Sequence, residues 1–123
     1  MKIVIIDGQG GGLGRSIIEA LRKDFPEVPL IAVGTNAMAT TAMLKGGATG
    51  GATGEHAIVS NARDADLILG ALGIVFVHAM RGEISPRIAH AVSASGAQKL
   101  LIPISKCRVA VAGVKEQPLG VFL

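Results

Sequence analysis

Between Asp7 and Gly14 the chain reads Asp7-Gly8-Gln9-Gly10-Gly11-Gly12-Leu13-Gly14, five glycines within seven residues behind a single carboxylate. Glycine permits positive φ and lets main-chain N–H groups approach an anion with no Cβ in the way. Where such a loop runs into a helix, the free N–H groups of the first turn and the positive end of the helix dipole add to the attraction. A phosphate or pyrophosphate suits this chemistry. Asp7, Gly8, Gly10, Gly11, Gly12, Leu13, Gly14 and Arg15 are the residues expected around it. A plain strand-to-helix turn needs fewer glycines, each of which costs chain entropy. Asp7 is read as an acceptor that ties down loop amides, with a ligand-facing role as the alternative.

Spacing narrows the choice of phosphate loop. The G-x-G-x-x-G dinucleotide fingerprint fails, because the sixth residue counted from Gly8 is Leu13 and from Gly10 is Arg15. The Walker pattern fails because no Gly-Lys-Ser/Thr follows. Gly8, Gly12 and Gly14 instead reproduce G-x-x-x-G-x-G, which resembles the loop of the short-chain dehydrogenase/reductases. Those enzymes donate a proton from a Tyr held by a nearby Lys. This chain has no Tyr, so the resemblance extends to the loop and not to the reaction.

The nucleotide depends on the end of the second strand, where an acid ~20 residues beyond the loop would accept from an adenosine ribose. Here Gly34-Thr35-Asn36 stands in its place. Thr35 and Asn36 can donate to a 2′-phosphate, with Arg15 or Lys45 as nearby cations, which tilts the reading toward NADP and leaves other adenine nucleotides open. Equally, Thr35 and Asn36 can simply cap the next helix. Ligands of parallel sheets sit at the carboxyl ends of the strands. The Gly8 loop, Thr35-Asn36, Ala71-Leu72-Gly73 and Ser105-Lys106-Cys107 should therefore share one rim, with Gly73 a further ligand contact. Asn36, Lys106 and Cys107 are the rim residues an enzyme reading would use. His78 reads as a satisfied histidine at an element end, and Arg81-Gly82-Glu83 as a solvated charge pair. No His/Cys/Asp spacing suggests a metal site.

These residues need a scaffold. Lys2 to Ile6 is a β-branched run of the kind buried on both faces of a parallel sheet. Leu13, Ile17, Ile18 and Leu21 share one helical face, and Pro26 and Pro29 end that helix. Leu30 to Gly34 reads as the second strand and Asn36 to Lys45 as a short helix. A third strand falls within the repeat Gly47-Ala48-Thr49-Gly50 and Gly51-Ala52-Thr53-Gly54, with Thr53 as N-cap of a helix to Arg63. Asp66 to Gly70 is a fourth strand, Ser85-Pro86 starts a helix that Gly96 stops, and Lys99 to Ile104 is a fifth strand. Val109 to Val114 reads as a last strand, antiparallel because four residues are too few for a parallel crossover. The expected architecture is a three-layer Rossmann-like α/β fold filling residues 1–123 as one nucleotide-binding domain: a parallel sheet of about five strands plus an antiparallel edge.

The formal net charge is +3, with the basic residues scattered and no aromatics interleaved, which argues against nucleic acid as a partner. A lone Cys107 and the early Asp7 in the N-terminal apolar run point to a reduced, cytoplasmic protein. The apolar run Leu67 to Met80 is shorter than the ~20 residues of a membrane span. It is assigned to the core or to a homo-oligomer interface.

The segments Ile6-Asp7-Gly8-Gln9-Gly10-Gly11-Gly12, Gly34-Thr35-Asn36, Gly51-Ala52-Thr53-Gly54-Glu55, Gly82-Glu83-Ile84 and Pro103 to Cys107 resemble an uncharacterised family of small bacterial Rossmann-like proteins, a domain of unknown function. The resemblance implies the fold and supports a nucleotide-like ligand, and it supplies no reaction. A nucleotide or dinucleotide binding module is the leading reading. The alternatives are a small NADP-dependent reductase or phosphometabolite enzyme without a Tyr, and a structural protein of an oligomer.

Overall fold

The computed structural model describes residues 1–104, 108–115, 121 and 123. The N-terminal β-branched run forms β1 (Ile3–Asp7), and the glycine loop leads into α1 (Gly12–Asp24). There follow β2 (Ile31–Gly34), α2 (Ala37–Lys45), β3 (Gly50–Thr53), α3 (Glu55–Arg63) and β4 (Leu67–Ala71). A single turn of 3-10 helix (Leu72–Val75) then leads through a loop to α4 (Pro86–Ala94) and β5 (Gln98–Ile102). The sheet has five strands in the order β3-β2-β1-β4-β5, and every pairing is parallel.

Alternation along the strands builds two cores. Ile5, Ala32 and Leu69 face α1 and α2, where they pack with Ile17, Ile18 and Met43. Val4, Ile6, Val33 and Ile68 face the other way, onto Ile58 of α3 and Ile88 and Val92 of α4. Val4, Ile5 and Ile6 are all fully buried, which is why the strand reads as an unbroken apolar run.

The tandem repeat has a structural account. Arg22 reaches across from α1 to bond the carbonyls of Gly47 (2.8 Å) and Phe25 (3.1 Å) and the hydroxyl of Thr49 (3.1 Å), which also accepts from the Leu30 N–H. In the second copy, a Cβ on Gly51 would lie 2.9 Å from Thr40 Cγ2, so glycine lets β3 pass close beneath α2. Thr53 is not the cap of α3. Its hydroxyl pairs with Thr40 Oγ1 at 2.8 Å, and the cap is Gly54 at φ 107°, a left-handed turn that glycine takes without strain.

The cap at Ser85 is as expected, its hydroxyl accepting from the Ile88 N–H with Pro86 at the first helical position. The antiparallel edge strand is not found. Residues 109–114 form no strand, and the chain turns at Ala112-Gly113, with Gly113 at φ 83° and the Val114 N–H returned to the Val111 carbonyl. Among the described residues no helix is long and apolar enough to cross a membrane.

Candidate functional site

From β1 the chain moves outward to β2 and β3, then returns to the other side of β1 for β4 and β5. The carboxyl ends of β1 and β4 therefore flank a point where connections leave in opposite directions, the place where ligands of open parallel sheets bind. A cleft of about 480 Å³ opens there. Its floor is the first loop, Asp7 to Leu13, and its far wall is Ala71, Gly73 and Ile104. Ala79, Met80 and Arg81 close the remaining side.

Asp7 is 5% exposed and its carboxylate is committed to the loop. Oδ1 accepts from the Gly8 N–H at 2.8 Å and Oδ2 from the Gly14 N–H at 2.7 Å. Gly14 is the third residue of α1, so Asp7 takes the N–H that a capping side chain would take. The cap residue itself, Gly11, has no side chain to offer. Burial pushes the Asp7 carboxyl above its ordinary value. The two N–H groups oppose that shift and the nearby Glu83 charge adds to it. The Gly11 N–H returns to the Gly8 carbonyl at 2.9 Å and the Gln9 N–H goes to Glu83 Oε1 at 2.9 Å. The N–H groups of Gly10, Gly12 and Leu13 have no acceptor among the described residues.

The five glycines divide by what surrounds them. A Cβ on Gly11, which sits at φ 73°, would lie 2.6 Å from the Ala39 carbonyl oxygen of α2. One on Gly14 would press into Met43, and one on Gly8 would meet Thr35 Oγ1 at 2.7 Å. These three allow close packing. Gly10 and Gly12 face open space, with nothing within 4 Å of an added Cβ.

Three of the four expected rim segments meet at this end of the sheet. The fourth, Ser105-Lys106-Cys107, lies outside the described residues; Ile104, just before it, lines the cleft. Arg15 and Lys45 are not cleft cations. Both line a shallow groove between α1 and α2, and Arg15 pairs with Glu19 at 3.5 Å. Thr35 and Asn36 are not free donors. Asn36 caps α2 by accepting from the Ala39 N–H, and its Nδ2 donates to the Gln9 carbonyl and to Glu83 Oε1. The Thr35 hydroxyl also donates to Glu83 Oε1.

Glu83 is the residue that sequence reasoning missed, having read it as a solvated charge. Its Oε1 gathers donors from Gln9, Thr35 and Asn36 and so ties the glycine loop to the end of β2. Partial burial raises its carboxyl, but these three hydrogen bonds outweigh that and hold it below the ordinary glutamate value. The approach to Glu83 is strained. His78, Met80 and Arg81 adopt φ of 74°, 57° and 57°, left-handed values uncommon for such side chains, and Gly82 follows at 90°. Arg81 is the cation of the cleft and has no ion-pair partner among the described residues. His78 is exposed and does not line the cleft.

Among solved structures, the dodecameric FMN-dependent UbiX-like decarboxylase from Escherichia coli O157:H7 superposes with a TM-score of 0.51 at 18% identity, covering 88% of this chain and 68% of that one. The likeness is one of fold, a Rossmann-like parallel sheet. No curated protein sequence gives a significant match. Residues 2–123 match one family throughout, and the chain belongs to it: the domain of unknown function DUF3842.

Proposed function

We propose that this protein binds a nucleotide, holding it by a phosphate at the N-terminus of α1 in the cleft between β1 and β4. The observation that carries this reading is the trio of unsatisfied N–H groups on Gly10, Gly12 and Leu13, at a helix start whose remaining loop amides are already engaged. Arg81 supplies a countercharge, and Ala71, Gly73, Ala79 and Ile104 supply an apolar wall for a ring. NADP loses support as the ligand, because Thr35 and Asn36 already donate to Glu83, and a carboxylate at that position repels a 2′-phosphate. The structurally similar decarboxylase is FMN-dependent, so FMN is the first probe. Binding is preferred to catalysis because Asp7, the carboxylate among the described lining residues, is already committed to the loop amides of Gly8 and Gly14. Self-association is assigned to the sheet face of the outermost strand β5, where Leu100, the register partner of Leu69, is 60% exposed.

Thermal-shift and binding titrations with FMN, AMP, NAD and NADP test the reading. With no Trp or Tyr in the chain, near-ultraviolet signals report almost purely on the nucleotide. Gly12→Val, whose side chain enters open space and shields the free N–H groups, is expected to abolish binding while the protein stays folded. No shift with any probe, or unchanged affinity in Gly12→Val, overturns the proposal.

A further inference from the structure

We infer that the cleft accepts a mononucleotide and turns away the second nucleotide of a dinucleotide, with Glu83 as the residue that sets this limit; the inference rests on the phosphate-binding reading above. Sheets of this topology that take dinucleotides place the adenosine ribose over the end of β2. In this protein that space is spanned by the chain's own carboxylate. Glu83 Oε1 stands 2.9 Å from the Gln9 nitrogen of the first loop and 2.9 Å from Asn36 Nδ2, and it also receives the Thr35 hydroxyl. Glu83 is packed directly against the loop, since a single added carbon on Gly8 would lie 2.9 Å from both Glu83 Oε1 and Met80 Sδ.

The carboxylate is also fixed from behind. Ile84, fully buried in the α3–α4 core, donates its N–H to the Ala79 carbonyl at 3.1 Å and accepts from the His78 N–H at 2.9 Å. The cleft accordingly takes no lining residue from β2 or α2 and continues toward the ends of β4 and β5 at Ala71, Gly73 and Ile104. Its volume of about 480 Å³ lies in the range that holds one small ligand. An adenosine ribose directed toward β2 would meet a carboxylate oxygen that already accepts three donors of the chain itself. A ligand with one phosphate on the loop and its ring toward β4 avoids both obstacles.

Paired probes that differ by one adenylyl group test this: FMN against FAD by flavin fluorescence, and nicotinamide mononucleotide against NAD by calorimetry. In the wild-type protein at least one mononucleotide is expected to bind about tenfold or more tighter than its dinucleotide partner. Glu83→Ala, and Glu83→Ser as a second small replacement, are expected to bring that ratio below about threefold. Equal or tighter dinucleotide binding by the wild type overturns the inference. A ratio that stays at the wild-type level in a folded variant removes Glu83 as its cause. Absence of binding by all four probes overturns the phosphate-binding reading itself, which separates the two failures.

Discussion

Replacing Gly11 or its neighbour Gly12 by alanine should give opposite results, although the two residues are adjacent and alike in sequence. Gly11 sits at φ 73°, and an L-residue held in the left-handed region costs about 1–2 kcal/mol. Its new Cβ would also stand 2.6 Å from the Ala39 carbonyl oxygen and 2.7 Å from Ala39 Cα. Those are backbone atoms of α2, so the whole helix must retreat from α1, an overpacking cost of about 1–3 kcal/mol. Together the loss is about 2–5 kcal/mol, or a fall in Tm of roughly 6–20 °C for a chain of this size. Gly12 is the first helical residue, and an added Cβ there meets nothing within 4 Å. Alanine gains up to about 1 kcal/mol of helix propensity over glycine, so Tm should hold or rise by a few degrees. Thermal unfolding by circular dichroism at 222 nm reads both variants. A Gly11→Ala protein melting within a degree of wild type, or a Gly12→Ala protein as destabilised as Gly11→Ala, would refute the division of the loop into glycines that pack against α2 and glycines that face open space.

Three further outcomes are expected. Ser85→Ala removes the acceptor of the Ile88 N–H and the 2.6 Å hydrogen bond to Glu55 Oε1, and should cost about 1–2 kcal/mol in denaturant unfolding; a loss near zero would contradict the cap. Burial raises the Asp7 carboxyl, so the folded protein holds that proton more tightly than the unfolded chain. Its stabilising effect is full below the ordinary value of 3.8 and is lost as pH rises through the raised value. The Tm of Asp7→Asn measured relative to wild type should therefore climb as pH rises from below 3.8 through the raised value, and a difference that shrinks with pH would reverse the sign of the argument. Leu100→Lys should lower the solution mass measured by light scattering, and a wild-type protein that is already monomeric would remove β5 as an association surface.

Almost all of the scaffold was legible in the sequence because its signals are local. The β-branched run before Asp7, the Ser85-Pro86 start and the Asn36 cap each depend on neighbours within a few residues, and each stands where it was expected. Thr53 and Val109 to Val114 misled for different reasons. Thr53 yielded its local preference to a tertiary partner, Thr40, whereas the C-terminal segment is largely exposed and turns locally at Gly113, the Val114 N–H returning to the Val111 carbonyl. The first loop was legible as the glycine-rich entry to α1 that now floors the cleft, but not in its internal division. Only the approach of α2 distinguishes Gly11 from Gly12. Glu83 was illegible for a stronger reason, since its partners Gln9, Thr35 and Asn36 lie 74, 48 and 47 residues away along the chain. No periodicity or spacing rule reaches across such a gap.

Met80 and Arg81 show what this protein forgoes. Glycine at either position would relieve a left-handed backbone strain of about 1–2 kcal/mol, and neither site is glycine. A redesign guided by stability alone would make those changes early, gain thermal tolerance, and in doing so strip the cleft of its thioether wall and its positive charge. On the binding proposed above, the loop is thus a place where robustness and ligand capture pull apart.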